Sequence, residues 1–466
     1  MSRLIVISNR VNPPTRDEGE GTVGGLAMAL AAALREYQGI WFGWSGTTVD
    51  RFSGALTTRS IAGVTVATVD LEEQDVQEYY NGYANKTLWP LFHYRIDLTA
   101  YERSFGHGYD RVNRRFAETV GPLIEPDDLI WVHDYHLIPL ARELRKLGIT
   151  NRIGFFLHIP WPARQLVVTL PRHKQLIEAL FDYDLVGFQT EDGLDAFEGY
   201  VRKEAGGTVS PGGVATAFGR SVCVGAFPIG IDAARFVAAA ESHEARAAYA
   251  RMKESLAGRQ MIIGVDRLDY SKGLEERLAA YDQCLTDSPE LRQKVFLLQI
   301  ATHSRDSVEA YQELRGRLEA LTGRINGTFA TVDWVPIRYV NSSHRRDELV
   351  GLYRAAAVGL VTPLRDGMNL VAKEYVAAQN PKDPGVLILS RFAGAAAQMS
   401  EALIVNPFSR EDMSDSIKRA LNMPIKERVR RWEQLMQGVS DENVVQWRDC
   451  FVAALKRCAL GASTGN

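Results

Sequence analysis

Two short segments in the second half of this 466-residue chain carry residue types suited to holding and releasing a charged leaving group. In Thr362-Pro-Leu-Arg-Asp-Gly-Met-Asn-Leu-Val-Ala-Lys-Glu-Tyr, the pattern predicts a strand ending at Thr362, a Gly-containing turn, and a helix beginning near Met368. The backbone N–H groups of Gly367, Met368, Asn369 and Leu370 would then face an anion such as a diphosphate, with the helix dipole adding favourable field. Glu374, further along that helix, is placed to accept hydrogen bonds from ribose hydroxyls. The same spacing also suits a plain strand–turn–helix in which Asp366 caps the helix and Glu374 is solvated. In Val265-Asp-Arg-Leu-Asp-Tyr-Ser-Lys-Gly, at the end of another predicted strand, Arg267 and Lys272 could both neutralise charge developing on a departing nucleoside diphosphate, in place of magnesium or manganese. A surface pair of Arg267 with Asp269 is the ordinary alternative.

The first half offers a different set. Arg10 follows the first predicted strand and Arg305 follows a strand of the second half, so the two could clamp a phosphate between domains. Gly24-Gly25, ahead of an alanine-rich helical stretch from Leu26 to Leu34, would permit close approach of backbone to a ligand. Tyr80, Trp89 and Trp41 could supply sugar-stacking faces or a hydroxyl, although such aromatics more often pack in a core. His133-Asp-Tyr-His136 and Phe156-Leu-His-Ile-Pro both sit where apolar runs end. No neighbouring Cys or Glu completes a metal-ligand set, so Asp134 is read as an acceptor of hydroxyl hydrogen bonds and His158 as a partner of the transferred sugar. Asp182-Tyr-Asp184 has the look of a metal-binding or phosphatase pair, but it precedes an apolar run instead of following one.

These residues need strand ends to position them. Apolar runs at Leu4 to Ser8, Leu129 to His133, Ile153 to His158 and Leu185 to Gln189 are continuous, as in strands buried on both faces of a parallel sheet. The pattern restarts with Met261 to Asp266, Val295 to Ala301, Ala357 to Thr362 and Val386 to Ser390, with helices between them at Leu274 to Leu285 and Ser307 to Leu321. The fold class is therefore α/β, with two doubly wound domains, 1–230 and 231–446, and a final helix, 447–466, returning to the first domain. The junction is expected near Pro228 to Asp232, and a Gly-rich turn or hairpin at Gly206 to Gly213. A hydrophobic content of 46% supports two cores, and 54 Lys+Arg against 57 Asp+Glu gives a net charge of −3, with no general attraction to nucleic acid or membrane. The four cysteines lack a Cys-x-x-Cys pair, and no run is long enough to span a bilayer, so a cytoplasmic protein is expected.

Ser8-Asn-Arg10, Val23-Gly-Gly-Leu, His133-Asp-Tyr-His, Leu157-His-Ile-Pro, Val265-Asp-Arg-Leu-Asp-Tyr-Ser-Lys-Gly and Arg365-Asp-Gly-Met-Asn-Leu-Val-Ala-Lys-Glu together resemble the trehalose-6-phosphate synthase family, in its order and over nearly the whole chain. The resemblance implies a GT-B architecture, two Rossmann-like domains with the site in the cleft between them. It also implies transfer of glucose, with retention, from UDP-glucose to glucose 6-phosphate to give trehalose 6-phosphate. By the same resemblance Arg10, Tyr80, Trp89, Asp134 and Arg305 meet glucose 6-phosphate. Gly25, His158, Arg267, Lys272, Asp366, the backbone from Gly367 to Val371, and Glu374 meet the donor. His344 stands where the family pattern has an aromatic near the base, which leaves the preference among uridine, guanosine and adenosine open. No cofactor or metal is implied, and a homo-oligomer is suggested by family analogy alone.

Overall fold

The computed structural model describes residues 3–11, 34, 38–61, 63–302 and 309–458. Its contacts divide the chain into two compact units, Met1–Ile229 together with Val445–Asn466, and Gly230–Val444.

The first unit is built on strands β1 (Leu4–Arg10), β2 (Ile40–Val49), β3 (Thr57–Ile61), β4 (Val64–Glu72), β5 (Leu129–His133), β6 (Ile153–Phe156), β7 (Leu185–Phe188), β8 (Thr208–Val209), β9 (Val214–Ala217) and β10 (Arg220–Ala226). They form one sheet in the order β3-β4-β2-β1-β5-β6-β7-β10-β9-β8. The run from β4 to β10 is parallel, while β3 and the β8–β9 hairpin attach antiparallel at its edges. That hairpin occupies the Gly206 to Gly213 region. The order reverses between β1 and β5, and this switch point is where a doubly wound sheet opens a crevice at its strand carboxyl ends.

Strand β2 corrects one expectation. Trp41 is not an open stacking face: it is 3% exposed, pairs in register with Val6 and Val66, and donates its indole N–H to Ser8 Oγ at 2.9 Å. An aromatic run in a parallel sheet covered on both sides is core, which is the physical reason for the difference. The helix Val444–Arg457 packs Trp447 and Phe451 against Trp131 and Phe156. Phe451 lies so close over β6 and β7 that a Cβ at Gly154 or Gly187 would come within 2.8 Å of its ring. Arg152 Nη1 donates to the carbonyls of Leu455, Lys456 and Cys458, satisfying acceptors that the end of the helix leaves open.

The second unit holds β11 (Gln260–Arg267), β12 (Val295–Thr302), β13 (Ile337–Val340), β14 (Val358–Val361), β15 (Val386–Ser390) and β16 (Leu403–Val405) in the all-parallel order β13-β12-β11-β14-β15-β16. Its switch point falls between β11 and β14, the two strands whose following loops hold Lys272 and Asp366. The helix after β14 starts at Leu370, later than the expected Met368, because Asn369 adopts φ +73° and cannot continue a right-handed helix. The helix after β12 runs Glu309–Phe329, longer than expected at its carboxyl end.

Candidate active site

In the second unit, the loops after β11 and β14 are stitched together by backbone. Leu364 N–H donates to Ser271 C=O at 2.8 Å, and Gly273, at φ +65°, sits where a Cβ would meet Thr362 O at 2.4 Å. Only glycine fits there. Lys272 Nζ consequently reaches Asp366 Oδ2 at 2.6 Å, and Asn369 Nδ2 donates to the same oxygen at 3.1 Å. Asp366 thus orients Lys272 and the turn. The turn is held from the far side by Asp366 N–H to Phe392 C=O at 3.1 Å and Ala395 N–H to Met368 C=O at 2.8 Å.

Among the described residues, none accepts a hydrogen bond from the backbone N–H of Gly367, Met368, Asn369, Leu370 or Val371. Gly367, Met368 and Asn369 are nevertheless buried. A row of donors without protein acceptors beside a lysine has the character of an anion-binding turn, since buried N–H groups are almost always paired. Arg267 stands exposed at the end of β11. The alternative partner Asp269 is buried and accepts from Ser271 N–H at 2.9 Å and Tyr311 O–H at 3.4 Å. Glu374 lies one turn into the helix Leu370–Ala378; burial pushes its carboxyl above the ordinary value and Arg346 opposes that shift. Arg346 itself lies over the Phe236 ring, 4.2 Å from its centroid. His344 Nδ1 donates to Glu348 Oε2 at 3.1 Å, and the residue lines a cavity of about 300 Å³ bounded by Ile300, Val340 and Leu352.

Arg277 was not among the residues singled out from sequence, yet it ties the site together. Its side chain is fully buried and bonds Asp266 Oδ2 on β11 at 2.5 Å, Gln299 Oε1 on β12 at 2.8 Å and Thr362 Oγ1 after β14 at 3.0 Å. Nη2 also donates to the Lys272 carbonyl at 3.4 Å. The signal was present: Arg277 falls in the buried stripe Leu274, Leu278, Tyr281 of the helix Leu274–Asp287, where a charge must have partners.

In the first unit, Arg10 ends β1 with its guanidinium laid against Gly46 and 5.7 Å from the Trp44 ring centroid. Gly46 has φ +93°, and a Cβ there would come within 2.3 Å of Arg10 Nη2. Tyr80 is half-buried, stacked on His136 at 5.9 Å and edge-on to Trp44 at 5.8 Å. It rises from a π-helical segment, Val76–Leu88, a winding that is rare and frequently met at functional sites. Arg10, Trp44, Tyr80 and His136 are therefore linked by successive ring contacts, with Trp44 and His136 buried beneath Arg10 and Tyr80. Trp89 is 4% exposed, its ring 4.1 Å from His93 and 5.7 Å from Tyr135, so its faces are occupied by the core instead of standing open for stacking.

Asp134, just past β5 at the switch point, has φ +76° and ψ 165°, a region that is essentially glycine's. Such strain costs about 1–3 kcal/mol and gathers where function demands it. The carboxylate accepts from His158 N–H at 3.2 Å. The His158 ring, after β6, meets His133 with Nε2 to Nδ1 at 2.9 Å, and burial pushes the imidazole down to about 3, with His133 lowered as well. Both rings are neutral at physiological pH. Arg305, Gly24 and Gly25 lie outside the described residues. Asp182 accepts from Arg142 and Arg220, and Asp184 from Arg145 and Ile153 N–H, so that pair is a structural ion network. No group of three His, Cys, Asp or Glu among the described residues is arranged to hold a metal ion. A cavity of about 680 Å³ beside the helix Arg103–Val120 is lined by none of the predicted residues.

Known proteins resemble this chain along its whole length. A trehalose-6-phosphate synthase of Sinorhizobium fredii is 48% identical over 464 residues, covering 98% of this chain and all of that one. The crystal structure of an alpha,alpha-trehalose-phosphate synthase (UDP-forming) from Burkholderia xenovorans in complex with glucose-6-phosphate is 48% identical, with a TM-score of 0.94 over 98% of this chain and 100% of that one. An E. coli structure bound with UDP-2-fluoro glucose is 44% identical, with a TM-score of 0.93 over 98% and 99% of the two chains. The two doubly wound units are accordingly those of a GT-B enzyme. Residues 2–457 match the family model for glycosyltransferase family 20, and the chain belongs to that family.

Proposed function

We propose that this enzyme transfers glucose from UDP-glucose to glucose 6-phosphate with retention of configuration, forming α,α-trehalose 6-phosphate and UDP. The observation that carries the reading is the unanswered row of N–H donors from Gly367 to Val371 beside Lys272, locked by Asp366. Those donors suit the diphosphate of a sugar nucleotide, and Glu374 suits its ribose. Relatives named trehalose-6-phosphate synthase, one crystallised with glucose-6-phosphate and one with UDP-2-fluoro glucose, support the pairing of substrates. Arg10 and Tyr80 would receive the sugar phosphate, and Asp134 a hydroxyl of the acceptor glucose.

As the glycosidic C1–O bond to the diphosphate breaks, charge builds on the leaving oxygens. Lys272, Arg267 and the free N–H groups stabilise it without reorganising, which is the strongest form of electrostatic catalysis. The incoming anomeric hydroxyl attacks the same face, its oxygen bonding to C1 while its proton passes to the departing phosphate oxygen. Retention then needs no covalent enzyme intermediate, and the cations do the work a metal does elsewhere, so turnover is expected to persist in EDTA. Four free thiols, Cys223, Cys284, Cys450 and Cys458, fit a reducing, cytoplasmic setting.

The test is nucleoside diphosphate release by purified protein with glucose 6-phosphate and each of UDP-, GDP- and ADP-glucose, in EDTA, with identification of the product. Release dependent on glucose 6-phosphate, with an α,α-linked disaccharide phosphate formed, supports the reading. Arg267→Ala is expected to lose turnover by at least about 100-fold with the fold intact; near wild-type turnover would remove Arg267 from the mechanism.

A further inference from the structure

The surroundings of His133 are unusual for an imidazole. It is 1% exposed, its ring centroid lies 4.6 Å from Trp131 and 6.4 Å from Trp447, and the Phe156 ring packs against both Trp447 and His158. Trp447 belongs to the helix Val444–Arg457, so a segment 314 positions beyond His133 and 289 beyond His158 closes an aromatic box around the two histidines. Inside the box His133 Nδ1 faces His158 Nε2 at 2.9 Å, and His133 Nε2 is buried without a hydrogen-bond partner.

That geometry decides who donates. A neutral imidazole carries one proton. If His158 donated from Nε2, the His133 proton would sit on Nε2 as a buried N–H with no acceptor, the rarest kind of unsatisfied group. If His133 donates from Nδ1, Nε2 is left as a bare nitrogen, and an unmet acceptor is tolerated in a protein interior more readily than an unmet N–H. His158 must then carry its own proton on Nδ1. That nitrogen engages no described residue, and the residue is only half-buried. Burial in the aromatic box keeps both rings neutral, so the arrangement holds at working pH.

We propose that His133 is a positioning residue: it donates Nδ1–H to His158 Nε2, fixes His158 as the Nδ1–H tautomer, and so makes His158 a hydrogen-bond donor toward a hydroxyl oxygen of the transferred glucosyl group. The last step rests on the reaction proposed above; the tautomer does not.

The test is long-range 1H–15N correlation of the full chain labelled with 15N-histidine at pH 7, with the two rings assigned from His133→Asn and His158→Gln. Protonated Nδ1 and bare Nε2 on His158 is the expected result. A proton on His158 Nε2 overturns the proposal in the wild-type protein alone, whether or not any variant folds. His133→Asn, whose amide can supply an N–H at nearly the same place, keeps the Nδ1–H signature and most activity. His133→Phe, which fills the box but donates nothing, gives mixed tautomers on His158 and lowers kcat with the glucose donor by roughly 10- to 100-fold, the cost of misplacing a reacting group, while KM for glucose 6-phosphate stays unchanged. Wild-type kcat in His133→Phe overturns the role. If no sugar nucleotide is turned over by the wild type, the reaction assignment fails while the spectrum still decides the tautomer.

Discussion

Replacing Arg277 by Met tests whether the donor loops depend on one buried cation. The wild-type side chain is fully buried, and its hydrogen bonds join Asp266, Gln299, Thr362 and the Lys272 carbonyl across three strands. Arg277→Met leaves Asp266, whose side chain is 3% exposed, as an uncompensated charge. Stranding one partner of a buried pair costs about 3–5 kcal/mol. For a domain of this size each kcal/mol moves Tm by roughly 2–4 °C, so the transition of the second unit should fall by roughly 6–20 °C. Calorimetry and urea unfolding read the loss directly. Arg277→Met combined with Asp266→Leu removes the orphan charge, and the double variant should recover about 2 kcal/mol or more relative to the sum of the singles. A loss below about 1 kcal/mol, or a double variant whose loss equals that sum, would refute the view that this ion pair holds the loops.

Glu374→Gln should raise donor KM by roughly 10- to 100-fold, the worth of a hydrogen bond to a charged acceptor. Because burial raises the Glu374 pKa above 4.5, its charged form costs folding stability. The Gln variant should therefore match wild type in acid and become the more stable of the two as pH rises through the raised value, as read by Tm from pH 4 to 8. Gly46→Ala should leave the fold standing but push the Arg10 guanidinium aside, raising KM for glucose 6-phosphate more than KM for the donor in steady-state kinetics. His158 titrates near 6.5 when unfolded and at about 3 when folded, with His133 also depressed. Their contribution to stability is present above pH 6.5 and is lost as pH falls from there toward 3. Acid titration of unfolding should accordingly be shallower in a His133→Asn, His158→Gln double variant than in wild type.

The sequence by itself determined a good deal. Continuous apolar runs such as Leu129–His133 and Val386–Ser390 read as strands buried on both faces, and those runs marked the central strands of both sheets within a residue or two, while strands such as Ile40–Val49, Val64–Glu72 and Ile337–Val340 went unmarked. Strand-end motifs then located Lys272, Asp366 and Asp134, because in such sheets chemistry gathers at carboxyl ends. Other features are decided by contacts between residues far apart in the chain. Trp41 and Trp89 are core because neighbouring strands and rings cover them, and no local pattern distinguishes a covered indole from an open one. Arg277 acquires its importance from partners on three strands, which a list of motifs does not bring together. The His133–His158 pair is buried in part by Trp447, which comes from the far end of the chain and packs beside both rings. Composition and periodicity report the local free energy of burying a segment. Which charge meets which, and which imidazole loses its water, follows from where the chain returns.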